Sequence, residues 1–289
     1  MFASILDIII DGLFTGGIYA LLAMGLSLQY GVARVLNVSH GEFIMVGAFL
    51  TLVLHQGLGM NPILTLVIIG PIIFVVGYLL HRTLFSALLK SSPSSEVFEG
   101  KSLLATFGLL FIIQNVAVLI WGSATRSYSY LASPIEIAGA VTSLNRMVVL
   151  GITIAIGVGF YIFLARTRLG KAIRAAAQDP TTAGILGVNI KNVLALCFGF
   201  GVLMAGIAGV LYSMCFGFYT TMGLQFTVIA IIVVVLGGLG SIPGSFIGGF
   251  ILGIVGQITT TFEAELTLAA YYLIFIILLM VRPKGIMGK

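Results

Sequence analysis

Charged residues are scarce in this chain of 289 residues: they make up 8% of it, against about 25% in soluble globular proteins. Apolar residues make up 60%, in runs long enough to cross a bilayer, which takes roughly 20 helical residues. The composition therefore excludes an ordinary soluble fold. Because the runs are continuous rather than alternating, they also exclude a membrane β-barrel. The sequence predicts an all-α polytopic membrane protein.

Cysteine and catalytic motifs are nearly absent as well. The two cysteines, Cys197 and Cys215, share one apolar run. If that run is one helix they are about five turns apart, so neither a disulfide nor a metal site is predicted. The chain has no HExxH, no GxSxG and no P-loop, so no ATP site is visible and nothing argues for an enzyme. The N-terminus has no basic region before its apolar run, and we expect it to be retained.

Nine apolar runs are candidate spans, at about 5–30, 43–54, 62–84, 103–121, 147–165, 193–216, 224–236, 246–261 and 266–281. Nine crossings with the C-terminus inside place the N-terminus outside. Twelve of the fourteen Lys and Arg residues then lie in cytoplasmic loops, and only Arg126 and Arg146 lie outside, as the positive-inside rule requires. The runs 224–236 and 246–261 are short and flank the glycine-rich GGLGSIPG at 237–244. Eight crossings, with this region re-entrant, are the alternative.

The most polar stretch is RTRLGKAIRAAAQDPTTAGILGVNIK, residues 166–191. Its basic bias between two apolar runs places it in the cytoplasm. Asp179 followed by Pro180 predicts a helix N-cap with proline at the first helical position. Gly187 suits the left-handed end of that short helix, and Asn189 can cap the next one. A helix of two turns is rarely stable alone in water, which favours a docking partner. The alternative is a structured loop that only joins two spans.

A second polar group stands at the start of an apolar run and comprises Asn37, Ser39, His40, Gly41 and Glu42. Charged and amide groups at membrane depth are costly unless they face protein or a water-filled path. A transport path or gate is therefore one interpretation. An equally weighted one is a hydrogen-bonded helix cap, with Glu42 favoured by the helix N-terminus.

Four blocks together resemble the permeases of branched-chain amino acid ABC transporters, the LivH-like subunit. They are GGIYALLAMGLSLQYGVARVLNVSHGEFIMVGAF (16–49), GKAIRAAAQDPTTAGILGVNI (170–190), VVVLGGLGSIPGSFIGGFILG (233–253) and VRPKGIMG (281–288). Together they cover about a third of the chain.

The resemblance implies an ABC importer permease with about eight or nine transmembrane helices, forming one permease domain over residues 1–289. This multi-pass protein would lie in the bacterial or archaeal plasma (inner) membrane. Its expected partners are a second related permease, two ATPase subunits and an extracytoplasmic solute-binding protein, with no nucleic acid. The chain itself needs no cofactor, because ATP and Mg would bind to the ATPases. The expected solutes are branched-chain amino acids; urea, amides or other amino acids, or an autonomous secondary transporter or channel, are the alternatives.

The resemblance also assigns roles to residues. Coupling to the ATPases falls to Arg174, Asp179, Pro180, Ala183 and Gly187, within the coupling segment 166–191. The pattern N-x-x-H-G-E assigns the substrate path or gate to Asn37, His40, Gly41 and Glu42. Ser39 departs from the family, in which we expect alanine at this position, and its additional hydroxyl should be tolerated.

Overall fold

The computed structural model describes residues 2–137, 139–282 and 284–288. Pro283 and Lys289, which belong to the closing motif and to the basic C-terminal end, lie outside the described residues. Almost all of the described chain is helical, as the continuous apolar runs predicted.

The first half of the chain forms five α-helices and one π-helical turn. They are α1 (Phe2–Ala33), α2 (Glu42–Leu58), α3 (Pro62–Leu80), the π-helical segment (His81–Phe85), α4 (Ser86–Lys90) and α5 (Ser95–Trp121). Polar side chains start two of these helices. Asn61 Oδ1 accepts a hydrogen bond from the backbone N–H of Ile63 at 2.9 Å, and Ser94 Oγ accepts one from the backbone N–H of Val97 at 3.3 Å.

The second half begins with a short hairpin, which the sequence did not predict. Strands β1 (Pro134–Ile137) and β2 (Ala140–Ser143) pair antiparallel. Seven α-helices and a 3-10 turn follow: α6 (Leu144–Arg166), α7 (Arg168–Gln178), α8 (Pro180–Ile185), α9 (Ile190–Ser213), α10 (Gly223–Gly237), α11 (Ile242–Phe262), the 3-10 turn (Ala264–Leu266) and α12 (Thr267–Val281).

Eight helical stretches of the described chain are long and apolar enough to cross a membrane. The remaining predicted run, 224–236, forms α10, whose 15 residues extend about 22 Å, less than the hydrocarbon thickness of about 30 Å. α11 has 21 residues, because Ser241 Oγ accepts a hydrogen bond from the Gly244 N–H at 3.2 Å and so starts the helix inside the glycine-rich break. The expectation that 246–261 falls short of a span is therefore wrong, and of the two runs that flank the glycine-rich break only α10 is short.

The break after α1 is a non-helical segment that turns back into the protein. α1 ends at Ala33, and Arg34 has a left-handed backbone with a φ of 54°. Further along, His40 Nε2 lies 3.0 Å from the carbonyl oxygen of Leu22, about three turns before the end of α1. α2 then begins at Glu42. The break predicted at 31–42 is confirmed over 34–41, and it lies in the interior rather than at the surface.

α1 connects two chemically different ends of the molecule. Gly31 and Arg34 border one cavity with Arg174, and we call this the basic end. At the start of α1, Asp7 Oδ1 accepts a hydrogen bond from the Val141 N–H at 3.0 Å, and we call this the hairpin end. Asp7 and Gly31 are 24 residues apart in α1, so these ends are separated by about 36 Å. The segment 166–191 therefore lies at the end opposite to the hairpin.

Glycine allows the long helices to approach each other closely. A Cβ atom at Gly249 would collide with the backbone of Ala20, and one at Gly253 would collide with the backbone of Gly16. α1 and α11 therefore pack backbone against backbone along most of their length. Small residues serve this purpose in membrane helices.

The two halves of the chain pack against each other through corresponding helices. α3 packs antiparallel along α9, with Gly77 against Gly199, and α11 packs antiparallel along α1. α2 contacts α9, and α10 contacts α1. This order is that of an inverted repeat, a common plan in transporters. The breaks that correspond in this order are 34–41 and 214–222.

Candidate functional site

The coupling segment has the predicted form of a helix, a break, a short helix and a second break. α7 ends at Gln178, and α8 occupies Pro180–Ile185. Gly187 has the left-handed φ of 88° that stops the short helix. Asn189 then accepts a hydrogen bond from the Asn192 N–H at 3.1 Å and caps α9. The local structure predicted for 179–189 is therefore confirmed.

Asp179 caps α8 with both carboxylate oxygens. Oδ1 accepts hydrogen bonds from the N–H groups of Thr181 at 2.9 Å and Thr182 at 3.2 Å, and Oδ2 accepts from the Thr182 hydroxyl. The Thr182 hydroxyl and then its backbone N–H hold the pKa of Asp179 below its usual value. Because the folded pKa is the lower one, this stabilisation is present at neutral pH and is lost as the pH falls through that pKa.

Pro180 is the first residue of α8, and the other three coupling residues, Arg174, Ala183 and Gly187, stabilise the segment by contacts within it. Arg174 Nη2 donates a hydrogen bond to the Ala165 carbonyl at 3.2 Å, which ties α7 to the end of α6. Ala183 is 3% exposed, and its carbonyl accepts a hydrogen bond from the Val188 N–H at 3.0 Å. Gly187 provides the turn. These residues therefore shape α8, and their proposed role in coupling stays a prediction.

Sequence reasoning missed two large apolar residues that are exposed at the end of α8. Ile185 and Leu186 are 82% and 78% exposed, at the end of a short helix outside the membrane-spanning stretches. The signal was available, because two adjacent large apolar residues stand in an otherwise polar segment. Their exposure gives α8 an apolar tip.

The interior break 34–41 is held by its own amide and hydroxyl groups. Asn37, Ser39, His40 and Glu42 are each 0% exposed. Asn37 Oδ1 accepts hydrogen bonds from the Ser39 hydroxyl at 2.7 Å and from the Ser39 N–H at 3.1 Å. The Ser39 hydroxyl therefore has a partner in the fold, which is the physical reason to expect that the departure at this position is tolerated.

Three polar residues from apolar runs complete this network, and sequence reasoning did not find them. The Asn37 amide donates to Gln29 Oε1 at 3.3 Å, the Val38 N–H donates to Thr106 Oγ1 at 3.2 Å, and the Thr227 hydroxyl donates to the Val38 carbonyl at 2.9 Å. The only signal was a single Gln or Thr within an apolar run, which does not reveal its partner. The break is thus connected to α1, α5 and α10.

Glu42 lies where α2 and α10 begin. A Cβ atom at Gly223, the first residue of α10, would overlap the Glu42 carboxyl group. Among the described residues, neither Glu42 carboxylate oxygen has a hydrogen-bond partner. Gly41 is equally crowded, since a Cβ atom there would collide with the Gly223 carbonyl oxygen. Two helix N-termini, which attract negative charge, therefore meet around one buried acid.

The predicted path residues do not border a described cavity in this conformation. Asn37, His40, Gly41 and Glu42 are packed between helices, and the cavities lie elsewhere. The largest two, of about 410 and 490 Å³, are at the basic end. Both are bordered by Gly240 and Ser241 of the glycine-rich break and by Arg174. The break 237–244 therefore packs helices and also lines a cavity.

Sequence comparisons place these features among known transport proteins. The family described as "Branched-chain amino acid transport system / permease component" matches residues 8–281. The high-affinity branched-chain amino acid transport system permease protein LivH of Escherichia coli (strain K12) is 30% identical over 303 residues, covering 100% of this chain and 97% of the relative.

Two further relatives come from distant organisms. The high-affinity branched-chain amino acid transport system permease protein BraD of Pseudomonas aeruginosa is 29% identical, covering 97% of this chain and 95% of the relative. The probable branched-chain amino acid transport permease protein LivH of Methanocaldococcus jannaschii is 26% identical, covering 93% of this chain and 88% of the relative. No solved structure matches the chain significantly.

Proposed function

Because the chain belongs to the family of branched-chain amino acid transport system permease components, we propose that it translocates branched-chain amino acids in an ATP-driven importer. It is a multi-pass membrane protein, with eight helical stretches of spanning length. Its full-length similarity to permeases whose names specify branched-chain amino acids carries the proposed substrate.

The coupling segment supports the proposed ATPase partners. α8 is fixed at both ends by the Asp179 cap and by Gly187, and it exposes Ile185 and Leu186. An apolar tip on a rigid short helix fits a cleft in a partner protein, since association hides the apolar area from water. ATP and Mg would bind in those ATPases. A second related permease and an extracytoplasmic solute-binding protein complete the proposed assembly.

The distribution of charge supports an orientation. Arg34 and Arg174 lie together at the basic end, while Asp7 and Asp11 lie at the hairpin end, Asp11 within 2.6 Å of Arg146 Nη1. We place the basic end in the cytoplasm, with the N-terminus outside and the C-terminus inside. The hairpin end would then face the solute-binding protein.

The interior acid supports a gate where α2 and α10 meet. We expect Glu42→Gln, which keeps the size of the side chain and removes its acid group, to lower solute uptake about tenfold, because the acid group lies at the N-termini of both α2 and α10 and interacts with their partial positive charge. Uptake into proteoliposomes that contain equal amounts of assembled complex measures this. The matched control Ser39→Ala, in the same buried break, should keep uptake within about twofold. If Glu42→Gln leaves uptake unchanged, the carboxyl group serves only in packing and has no role in a gate.

One purification tests the proposed assembly. The tagged chain is extracted from its native membrane in mild detergent, and the co-purifying proteins are identified by mass spectrometry. We expect two ATPases, a second permease and ATP hydrolysis in the eluate, followed by ATP-dependent leucine uptake once the binding protein is added. Uptake of urea, amides or another amino acid in place of leucine would contradict the proposed substrate. Transport by the chain alone, without ATP, would overturn the importer and favour an autonomous transporter.

A further inference from the structure

A cavity at the hairpin end differs in chemistry from the other cavities of the described chain. It has a volume of about 240 Å³ and lies between α1, α10, α11 and α12 and the end of α9. Six of its lining residues carry a phenol or an amide: Tyr19, Tyr212, Tyr219, Gln225, Gln257 and Tyr271. We call it the tyrosine cavity.

The tyrosine cavity lies on the side of the membrane away from the coupling segment. α11 starts at the basic end, where Ser241 borders the cavities that contain Arg174. Gln257 lies 16 residues further along, about 24 Å away. Gln225 and Thr260 are exposed at this cavity. A solute that arrives at the hairpin end therefore has access to it.

Its lining is unsuited to contact with lipid chains. Polar side chains at membrane depth are costly unless they face protein or a water-filled path. A smaller cavity of about 160 Å³ provides the contrast, because Val158, Phe246 and Ile247 border it and its polar surface is close to nil. The tyrosine cavity instead places four phenols and two amides around one space. The Gln257 amide has no hydrogen-bond partner among the described residues, so its donor and acceptor are free to bind a ligand.

Apolar surface completes the lining and includes the first turn of α10. Phe216, Met222 and Phe226 border the cavity. The Tyr212 ring stacks on Phe216 at 4.8 Å and meets Phe226 edge-on at 5.0 Å between centroids. An aliphatic group would be buried against these rings. Gly223, between Met222 and the exposed Gln225, is the residue that meets the Glu42 carboxyl group. The first turn of α10 therefore lies between the cavity and the buried Glu42 carboxyl group.

The lining also limits the charge and size of the ligand. None of the described residues that border this cavity is Asp, Glu, Lys or Arg, so a solute with a net charge would have no counter-ion. The volume of about 240 Å³ lies below the range of roughly 300–1,000 Å³ of pockets for drug-sized ligands. The ligand is therefore a small metabolite rather than a peptide.

We propose that the tyrosine cavity is a solute-binding site of this subunit, which receives a small neutral or zwitterionic solute with an aliphatic part. Its phenols and amides bind the polar groups of the solute, and Phe216, Met222 and Phe226 cover the aliphatic part. The proposal rests on the proposed import function and specifies where the chain would hold the solute. Filling the cavity would press on α10, whose first turn is packed against Glu42.

Thiol protection tests the site directly. Gln257→Cys is made in a chain whose native Cys197 and Cys215 are replaced by alanine, and the complete complex is reconstituted in nanodiscs without nucleotide. Thr261→Cys is the matched control, since Thr261 is exposed at the same end of α11 and does not border the cavity. At ten times the half-protecting concentration, leucine should slow modification of Gln257→Cys by a small charged thiol reagent about tenfold. It should leave Thr261→Cys unaffected.

A second variant keeps the proposal testable if the cysteine chains do not assemble. Gln257→Leu removes the amide at similar size and should lower leucine uptake at sub-saturating leucine about fivefold, the effect of one lost hydrogen bond on affinity. Thr261→Val, at a position that does not border the cavity, should behave as the unchanged chain. Equal uptake by Gln257→Leu and the unchanged chain would overturn the site, as would labelling of Gln257→Cys that leucine does not slow.

The outcomes separate this proposal from the proposed substrate. If the unchanged complex imports no branched-chain amino acid, that substrate is wrong, and the protection assay is repeated with other uncharged or zwitterionic solutes that have an aliphatic part: glutamine, proline and short aliphatic amides. Protection of Gln257→Cys by one of these would support the site with another solute, and protection by none would overturn it. Equal protection by leucine and by arginine or glutamate would overturn the inferred absence of net charge in the ligand.

Discussion

Replacing Asp179 and Pro180 together by glycine is expected to abolish coupled transport while the protein stays in the membrane. The change removes every hydrogen bond that the Asp179 carboxylate makes to Thr181 and Thr182. It also removes the fixed backbone of the first helical residue and enlarges the freedom of the unfolded segment. α8 has six residues, too few to stay helical without its cap. The apolar tip of Ile185 and Leu186 would then lose its fixed position.

We expect leucine uptake into proteoliposomes, and the stimulation of ATP hydrolysis by the loaded binding protein, to fall by about tenfold or more. The amount of the chain in the membrane should stay within about twofold, because the spanning helices are untouched. Asp179→Asn is the matched control, since asparagine is as good an N-cap as aspartate. If the double glycine variant transports and stimulates ATP hydrolysis like the unchanged chain, α8 does not couple transport to its partners.

Replacing Gly41 by alanine should destabilise the whole fold. Gly41 has an ordinary right-handed backbone with a φ of −69°, so alanine is compatible with its conformation and only the added methyl group matters. That methyl group would collide with the Gly223 carbonyl oxygen and would lie 2.7 Å from both the backbone N and the Oγ1 of Thr227. Since most of these atoms are backbone, α2 and α10 would have to move apart. Overpacking of this kind costs about 3 kcal/mol.

Thermal unfolding of the detergent-purified chain, followed by size-exclusion chromatography after heating, measures the effect. The apparent midpoint should fall by roughly 6–12 °C. Gly108→Ala is the control within a helix, because a Cβ atom at Gly108 in α5 meets no atom within 4 Å. That substitution should be neutral or stabilise the chain by about 0.5–1 kcal/mol, as Gly-to-Ala changes in helices do. Equal midpoints for the two variants would contradict the close contact between 41 and 223.

The local structure of the coupling segment was predictable because it depends on neighbours in sequence. Asp179, Gly187 and Asn189 form hydrogen bonds with backbone groups two or three residues away, so the chain order contains the information. The interior break was predictable only in part. Its polar residues were visible, but their partners Gln29, Thr106 and Thr227 lie in three other helices. A single threonine in an apolar run does not indicate which break it will bind.

The sequence by itself determined the membrane class, the helical runs, the end of the molecule that carries the basic charge, and the capped short helix. These follow from composition, from run length and from contacts between near neighbours, which need no knowledge of packing. The tertiary structure decided that 34–41 turns inward, that α10 is short while α11 is full length, and that Glu42 meets Gly223. It also gathered four tyrosines and two glutamines from five helices and a loop around one cavity. Such contacts depend on how the helices cross, and the crossings are set by the glycines at which two backbones approach closely. The sequence shows where the glycines are, but it does not show which of them lie against another backbone.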